Sequence, residues 1–521
     1  MQVRDLSFSE ELSHSVISQI CLAYLLQFHT SEPLDTHVEC FFPLANYAAQ
    51  HWIIHAHSGT KTKCQASLVF DLMMKLLTEE NTTFVNWVRL CDIDDYDHRN
   101  LKKKRVEIGK PLYYAAIAGL TEASYALLEM GADADAQGGK YGNALQGALI
   151  GGHEPIARLL IEKGADVNAQ GGRYGNALQA ASSRGHEGIE KLLIEQGADV
   201  NAQGGHYGNA LYAASDGGHE AIAKLLIEKG ADVNAQGGHY GNALYAATNG
   251  GHEAVAKLLV ENGADVNVQG RIYGNALCAA SNRGHEAIAK LLIEKGADVN
   301  AQRGIHGSAL YEASNEGNEA IARLLIEKGA DINGQGGIYG SALQAAFNGG
   351  HESIAKLLIE KGADINAHGG HYTNALYAAS DAGHEAVAKL LIEKGEDVNT
   401  QGGYCGNALQ VASRGGHEAI ARLLIERGAD VNAQGGMYGN ALQAASDEGH
   451  EAIAKLLIDK GADINAQGGT YVNALQAALK RGHKAIAKLL IERGADVNAW
   501  GGNYGNALQV ANGGYQSCWA C

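Results

Sequence analysis

Proline is scarce in this chain, 4 among 521 residues, and aromatic residues make up only 6%. Long apolar runs are missing. The run "ICLAYLL" falls far short of the roughly 20 residues that cross a bilayer, and the opening "MQVRDLSFSEELSHSV" holds no apolar stretch suited to a signal peptide. Basic residues are in the minority, 41 against 58 acidic ones, for a net charge of −17. An acidic chain without a basic stripe is a poor match for nucleic acid or for an anionic membrane surface. The eight cysteines form no framework of close pairs, which points to reduced thiols inside the cell. The expectation is a soluble intracellular protein, placed in the cytoplasm although no feature selects a compartment.

Glycine, in contrast, is abundant at 68 residues, and its positions are regular. "GAD" begins at 131, 164, 197, 230, 263, 296, 329, 362, 428, 461 and 494, with "GED" at 395, and every step is 33 residues. Residues 170–202, "QGGRYGNALQAASSRGHEGIEKLLIEQGADVNA", show the unit. A short helix opens at Asn176 and breaks at Gly185; a second helix carries Ile189, Leu192 and Leu193 on one face. Gly197 supplies a left-handed stop, and an extended finger follows. Burying three large aliphatic side chains yields roughly 5–9 kcal/mol, and ordering 33 residues costs far more. Each helix pair is therefore expected to be stable only when stacked on its neighbours. The predicted class is all-α, a solenoid of about 12 helix-pair repeats behind a small helical domain.

A 33-residue repeat containing "GHEAIAKLLIEKGADVNA" resembles the ankyrin repeat, and the resemblance covers about 109–511. Ankyrin repeats usually open on Thr-Pro-Leu-His, whereas this chain writes Asn-Ala-Leu-Gln or Asn-Ala-Leu-Tyr. Across the repeats from 143 to 506 the first position is Asn ten times, with Ser308 and Ser341 in the other two. Asn and Ser share strong N-capping ability, so the position reads as a helix cap. Ala takes the place of Pro at the first helical residue, except in the first repeat, which has Pro111.

Two columns invite chemistry. His stands before the second helix at 153, 186, 219, 252, 285, 351, 384, 417, 450 and 483. Metal ligands must lie about 2 Å from one ion, whereas stacked repeats lie about 8–10 Å apart, so this column reads as framework and no metal site is expected. Tyr fills the finger at 141, 174, 207, 240, 273, 339, 372, 438, 471 and 504, and its uniformity reads as packing.

Variation is concentrated elsewhere. The residue before the finger Tyr runs Lys140, Arg173, His206, His239, Ile272, Ile305, Ile338, His371, Tyr404, Met437, Thr470 and Asn503. A second variable position on the first helix holds Tyr212, Tyr245, Tyr311 and Tyr377, with Tyr113 in the first repeat, Cys278 once and Gln in seven others. A third lies at the end of the first helix, as in Ser183-Arg184, Asp216-Gly217, Asn282-Arg283 and Asp447-Glu448. The ankyrin resemblance implies that fingers and first helices line a concave face, so all three positions are expected to face one groove. The finger-tip residues and the four helical tyrosines are the candidate contacts for partner proteins; neutral drift is the alternative. Glu187–Lys191 and similar pairs at i, i+4 read as solvated support for the second helices.

Residues 1–100 hold no repeat. "ELSHSVISQICLAYLLQF", "FPLANYAAQHWIIHAHSG" and "CQASLVFDLMMKLLTEENTTFVNWVRL" have helical spacing. The phrase "FPLANYAAQHWIIHA" before such an array resembles the helical segment that joins the NTPase core to the ankyrin repeats in fungal NACHT-type STAND proteins. No GxxxxGK[ST] loop occurs, and "HSGTKTK" at 57–63 has neither its length nor its glycines, so NTP hydrolysis is not expected of this chain. His51, His55 and His57 lack the Glu of a zinc-protease helix, since Trp52 occupies that place, and they read as buried or interface residues. "LKKKR" at 101–105 reads as a solvated junction.

The expected organisation is a helical domain at 1–100, a basic junction at 101–108, the array at 109–511 and an out-of-register tail at 512–521 ("YQSCWAC" with its Cys518-x-x-Cys521), fraying from about 507. The expected role is noncovalent: a scaffold binding partner proteins on its concave face, in the sensor part of a NACHT-like receptor. The alternatives are a regulatory fragment of a separately encoded or upstream NTPase, and a non-binding relic of a larger gene. No enzymatic activity, cofactor, metal or small-molecule substrate is expected.

Overall fold

The computed structural model describes residues 10–28, 42–58, 63–78, 82–94, 100–270, 274–302, 307–337, 340–365, 375–402 and 404–500. The chain divides into two compact halves, Met1–Asp265 and Val266–Cys521. This division falls inside the repeat array, away from the boundary at 100 that the sequence suggests.

The first half opens with α1 (Glu10–Leu25), α2 (Ala45–Ser58), α3 (Lys63–Thr78) and α4 (Thr82–Leu90). Their core is aromatic: the Trp52 and Trp87 rings meet at 5.6 Å, and Trp87 Nε1 donates to the Ala49 carbonyl at 3.2 Å. Asn86, also buried, donates to the Phe28 carbonyl at 3.2 Å. The same core continues into the first repeat, where Tyr114 lies edge-on to Phe84 and Trp87, at 5.6 and 6.0 Å. On α2, His55 sits between His14 Nδ1 at 2.7 Å and the Tyr47 hydroxyl at 3.0 Å. Burial, then the neighbouring His14 and His51, pushes its imidazole below the usual range.

The junction is not uniformly solvated. The Lys103 side chain is only 11% exposed and lies 3.0 Å from Asp92 and 3.6 Å from Asp94. A buried carboxylate needs a cation or donors, and Asp94 collects several: the Tyr113 hydroxyl and the Lys140 N–H, the latter at 3.0 Å. The basic run therefore contributes one lysine to a buried ion cluster that holds α4 against the first repeat, while Lys102 and Lys104 stay exposed.

Twelve helix pairs follow among the described residues, from Pro111–Ile117 with Thr121–Glu129 to Ala474–Arg481 with Lys484–Glu492. The only sheet among the described residues is a two-residue antiparallel pair, β1 (Gln335–Gly336) and β2 (Gly340–Ser341). The caps behave as the Asn and Ser positions predict. Asn176, Asn209 and Asn440 accept the N–H three residues on at 2.7–2.9 Å, and Ser341 does so at 3.2 Å.

The two helices of a pair bury different amounts of themselves. The second helix buries one stripe, such as Ile222, Ala223 and Leu226. The first helix buries its opening six residues completely, as in Ala177 to Ser182. Small alanines on every side let first helices of successive repeats pack closely while the second helix covers a third side. The outer face of the second helices carries the solvated pairs, such as Glu187–Lys191 at 2.6 Å, which water screens. No helix among the described residues is long and apolar enough to cross a membrane. Cys21, Cys91, Cys278 and Cys405 are free thiols, and burial pushes Cys278 up to about 12. Residues 501–521, with the out-of-register tail, lie outside the described residues.

One deviation from the repeat has a measurable cost. Glu396 stands where the other repeats have Ala, is buried, and accepts only the Leu376 N–H at 3.1 Å; its second carboxyl oxygen has no partner. Burial pushes its carboxyl from 4.5 to about 7. The folded state therefore holds this proton more tightly than the unfolded chain does. Its stability is intact below pH 4.5 and is lost as pH rises to 7, a loss on the order of 3 kcal/mol. Glu396→Ala is expected to raise local stability at pH 8 and to lose that advantage by pH 4.5. Hydrogen exchange of the amides in Ala375–Ala382 at the two pH values measures this, and equal effects at both would contradict it.

Candidate interaction surface along the finger tips

Each finger closes on itself through backbone groups: the Gly171 N–H donates to Gly175 O at 2.7 Å, Gly204 to Gly208 at 2.9 Å and Gly435 to Gly439 at 2.8 Å. The residue inside this loop is the variable tip. Lys140, Arg173, His206, His239, Tyr404 and Thr470 are exposed, and Met437 is half-buried. Ile272, Ile305, Ile338, His371 and Asn503 lie outside the described residues.

The tips are tied together chiefly by main chain. The Arg173 N–H donates to Lys140 O at 2.9 Å, and His206 to Arg173 O at 2.8 Å. In the second half, Met437 donates to Tyr404 O at 3.1 Å and Thr470 to Met437 O at 2.9 Å. Since these bonds run between main-chain groups, they place no demand on residue type at the tip. Two side chains add to them: the Lys140 Nζ donates to the Asp94 carbonyl at 3.0 Å, and the Thr470 hydroxyl donates to Met437 O at 3.0 Å.

The second expected column is not on this surface. Tyr212, Tyr245, Tyr311 and Tyr377 are buried, at 1%, 1%, 5% and 5% exposure, so their rings cannot be groove contacts. They sit in the completely buried part of the first helix, where Gln stands in other repeats, and both residue types reach into the finger of the next repeat. Gln410 Oε1 accepts the Asn407 N–H at 2.8 Å and completes a capping box. Its Nε2 then donates to Ala433 O, Gly435 O and Gly439 O at 3.1–3.3 Å. Gln146 and Gln443 do the same with their own next fingers. A tyrosine works with the opposite polarity. The Tyr212 hydroxyl accepts the Tyr240 N–H at 3.1 Å, and the Tyr377 hydroxyl accepts the Cys405 N–H at 3.3 Å. Composition alone does not reveal this latch; the signal is that every residue at the position except Cys278 has a long polar end.

The finger tyrosines stack, Tyr141 on Tyr174 at 5.7 Å and Tyr174 on Tyr207 at 5.6 Å. The histidine column also joins neighbouring repeats. His153, His186, His384 and His483 each place Nε2 2.9–3.1 Å from a carbonyl at the end of the preceding first helix, and the N–H donates. Where Asn318 replaces His, its amide donates to Ser281 O at 2.7 Å. Among the described residues no group of three His, Cys, Asp or Glu is arranged to hold a metal ion.

The third variable position, at the end of the first helix, contains inter-repeat ion pairs. Asp381 pairs with Arg414, and Asp447, itself 2% exposed, with Arg481 at 2.8 Å. Asp216 stands in the same place in the first half. Beside it lies a cavity of about 300 Å³ lined by His206, Tyr207, Tyr212, Asp216, His239 and Tyr240. Burial raises the Asp216 carboxyl, and His252, His206 and His239 act against that rise.

The glycines of the finger are required at two different levels. Gly469 has φ +66° and would place a Cβ 2.3 Å from the Tyr438 carbonyl carbon, whereas Gly461 has φ +90° and open space around it. Gly461→Ala is expected to cost only the left-handed backbone, about 1–2 kcal/mol. Gly469→Ala is expected to cost roughly 1–3 kcal/mol more from overpacking, and to open the Thr470–Met437 main-chain bond. Urea denaturation with hydrogen exchange at Thr470 checks both, and equal costs would refute the close approach.

The family model for ankyrin repeats, "Ankyrin repeats (3 copies)", matches residues 72–171, 170–237, 243–336, 310–402, 342–435, 401–468 and 442–519. A curated relative, the azaphilone pigments biosynthesis cluster protein L of Monascus ruber, is 40% identical over 148 residues, which is 26% of this chain and 31% of that protein. The chain thus spans about a third of that relative's length. Among solved structures, the human ASB11 ankyrin repeat domain is 28% identical, with a TM-score of 0.38, over 42% of this chain and 98% of that one. Matched along its length from residue 72 onward, this chain belongs to the ankyrin-repeat family.

Proposed function

We propose that this chain is a protein-interaction scaffold that binds partner proteins through its finger tips. The observation that carries this reading is the separation of roles at the tip: the main chain is pinned repeat to repeat, while the exposed side chain is free to vary. A rigid backbone with varied side chains lowers the entropy lost on binding and leaves specificity to the side chains. The net charge of −17 favours basic protein surfaces over nucleic acid. The phrase "FPLANYAAQHWIIHA" supports a place in a NACHT-like receptor lineage, as the sensor part of an intracellular protein.

A second reading has its own observation. Val16 and Ile20 on α1, and Tyr47 and Ile54 on α2, are exposed apolar residues at helical spacing. They favour a further protein surface on the N-terminal helices, as the regulatory partner of an upstream or separately encoded NTPase would require.

Photo-crosslinking residues placed at Arg173, His206, Met437 and Thr470 test the tip reading, with Lys191 and Lys290 on the second helices as controls. The expected result is one set of proteins captured from neighbouring tips and absent from the controls. Alanine at the tips facing the strongest crosslink is then expected to weaken the purified pair by roughly tenfold, about 1.4 kcal/mol. Equal capture from tips and controls, or none from any tip, would refute the reading.

A further inference from the structure

The regular spacing lets one repeat serve as a control for another. Asp216 and Asp447 each stand seven residues after the cap of their first helix, Asn209 and Asn440, and Asp381 falls at the same place in the 33-residue register. At Asp381 and Asp447 an arginine from the next repeat, Arg414 or Arg481, closes onto the carboxylate. These guanidinium groups also act electrostatically on finger tyrosines, Tyr438 beside Arg414 and Tyr471 beside Arg481. The repeat after Asp216 has Asn249 and Gly250 where those arginines fall. Among the described residues the Asp216 carboxylate makes no ion pair or side-chain hydrogen bond, and the cavity of about 300 Å³ lies beside it.

We infer that this cavity receives an arginine side chain presented by a protein partner, with the guanidinium on Asp216 and its plane against the rings of Tyr207 and Tyr240. The inference deepens the docking reading above and rests on it. The walls suit that ligand. A planar guanidinium pairs with a carboxylate through two parallel N–H donors and stacks on aromatic faces, which an ammonium cannot do. Tyrosine rings add cation–π attraction at such a site. Of the chain's own arginines, Arg173 and Arg184 act on Tyr207, while the charged groups acting on the Asp216 carboxyl are His252, His206 and His239. His206 and His239 stack at 6.5 Å along the rim; both belong to the exposed tip column, so the cavity opens where a bound partner is expected to lie.

The probe is N-acetyl-arginine amide, titrated into the full chain with ring-labelled histidine, whose His206 and His239 signals are assigned by His→Gln variants. Saturable shifts at both rings are expected, with a Kd of about 1 mM or weaker for so small a ligand. N-acetyl-citrulline amide, the neutral isostere, is expected to leave them unmoved, and Asp216→Asn to weaken binding roughly tenfold or more. Asn249→Arg supplies the missing guanidinium from within; it is expected to block the probe and to raise the melting temperature of the first half. The inference fails if citrulline amide binds as well as arginine amide, if Asp216→Asn is without effect, or if no saturable shift occurs. Failure of probe binding while tip crosslinking persists overturns the cavity alone and leaves the docking surface standing.

Discussion

Each repeat satisfies its polar groups on the repeat beside it. His153 reaches back to Ile117 O, Gln410 reaches forward to three carbonyls of the next finger, and Asn168 donates to Gly197 O at 3.0 Å. The Asp199 N–H returns a bond to Asn168 at 2.8 Å. A repeat removed from its neighbours would expose these groups to water and lose the burial of its first helix. Stability is therefore a property of adjacent pairs, and the recurrence of the phrase follows from it, since every copy has to fit two others of nearly the same shape.

This constraint divides the molecule into residues that hold the stack and residues that are free of it. Caps, histidines, the Gln or Tyr latch and the finger tyrosines all belong to the first class. The tips belong to the second, because it is chiefly main-chain bonds that join them. The end of the first helix is intermediate. There two acidic residues are compensated: Asp447 is buried and has Arg481, and Asp381 has Arg414. Asp216 keeps the acid without the base, and a cavity opens beside it. Departures from the consensus thus carry more information about binding than the consensus does.

The same reasoning separates function from cost. Glu190, Glu312 and Glu396 are buried carboxyls at positions where most other repeats have alanine, and burial raises all three. None opens onto the finger-tip surface: Glu190 accepts from Ser182, Glu312 from Asn282 and Glu396 from the Leu376 main chain. Their raised pKa values make the stability of single repeats depend on pH.

Much of this was legible in the letters. The 33-residue step, the glycine stops and the Asn or Ser caps are local requirements of backbone geometry, so they recur in sequence and specify helix pair, turn and finger without reference to distant residues. The exposure of the tips could be read from their variation for the same reason. What only the tertiary structure decided depends on contacts one period away. The helical tyrosines vary as groove residues do, yet their rings fill the interior, and the Tyr212 and Tyr377 hydroxyls hold the next finger. Lys103 looked solvated within a basic run but neutralises carboxylates brought to it by α4. The cavity beside Asp216 has no signature within one repeat. It arises from how two successive repeats fit, and a pairwise fit is settled by packing and charge in space.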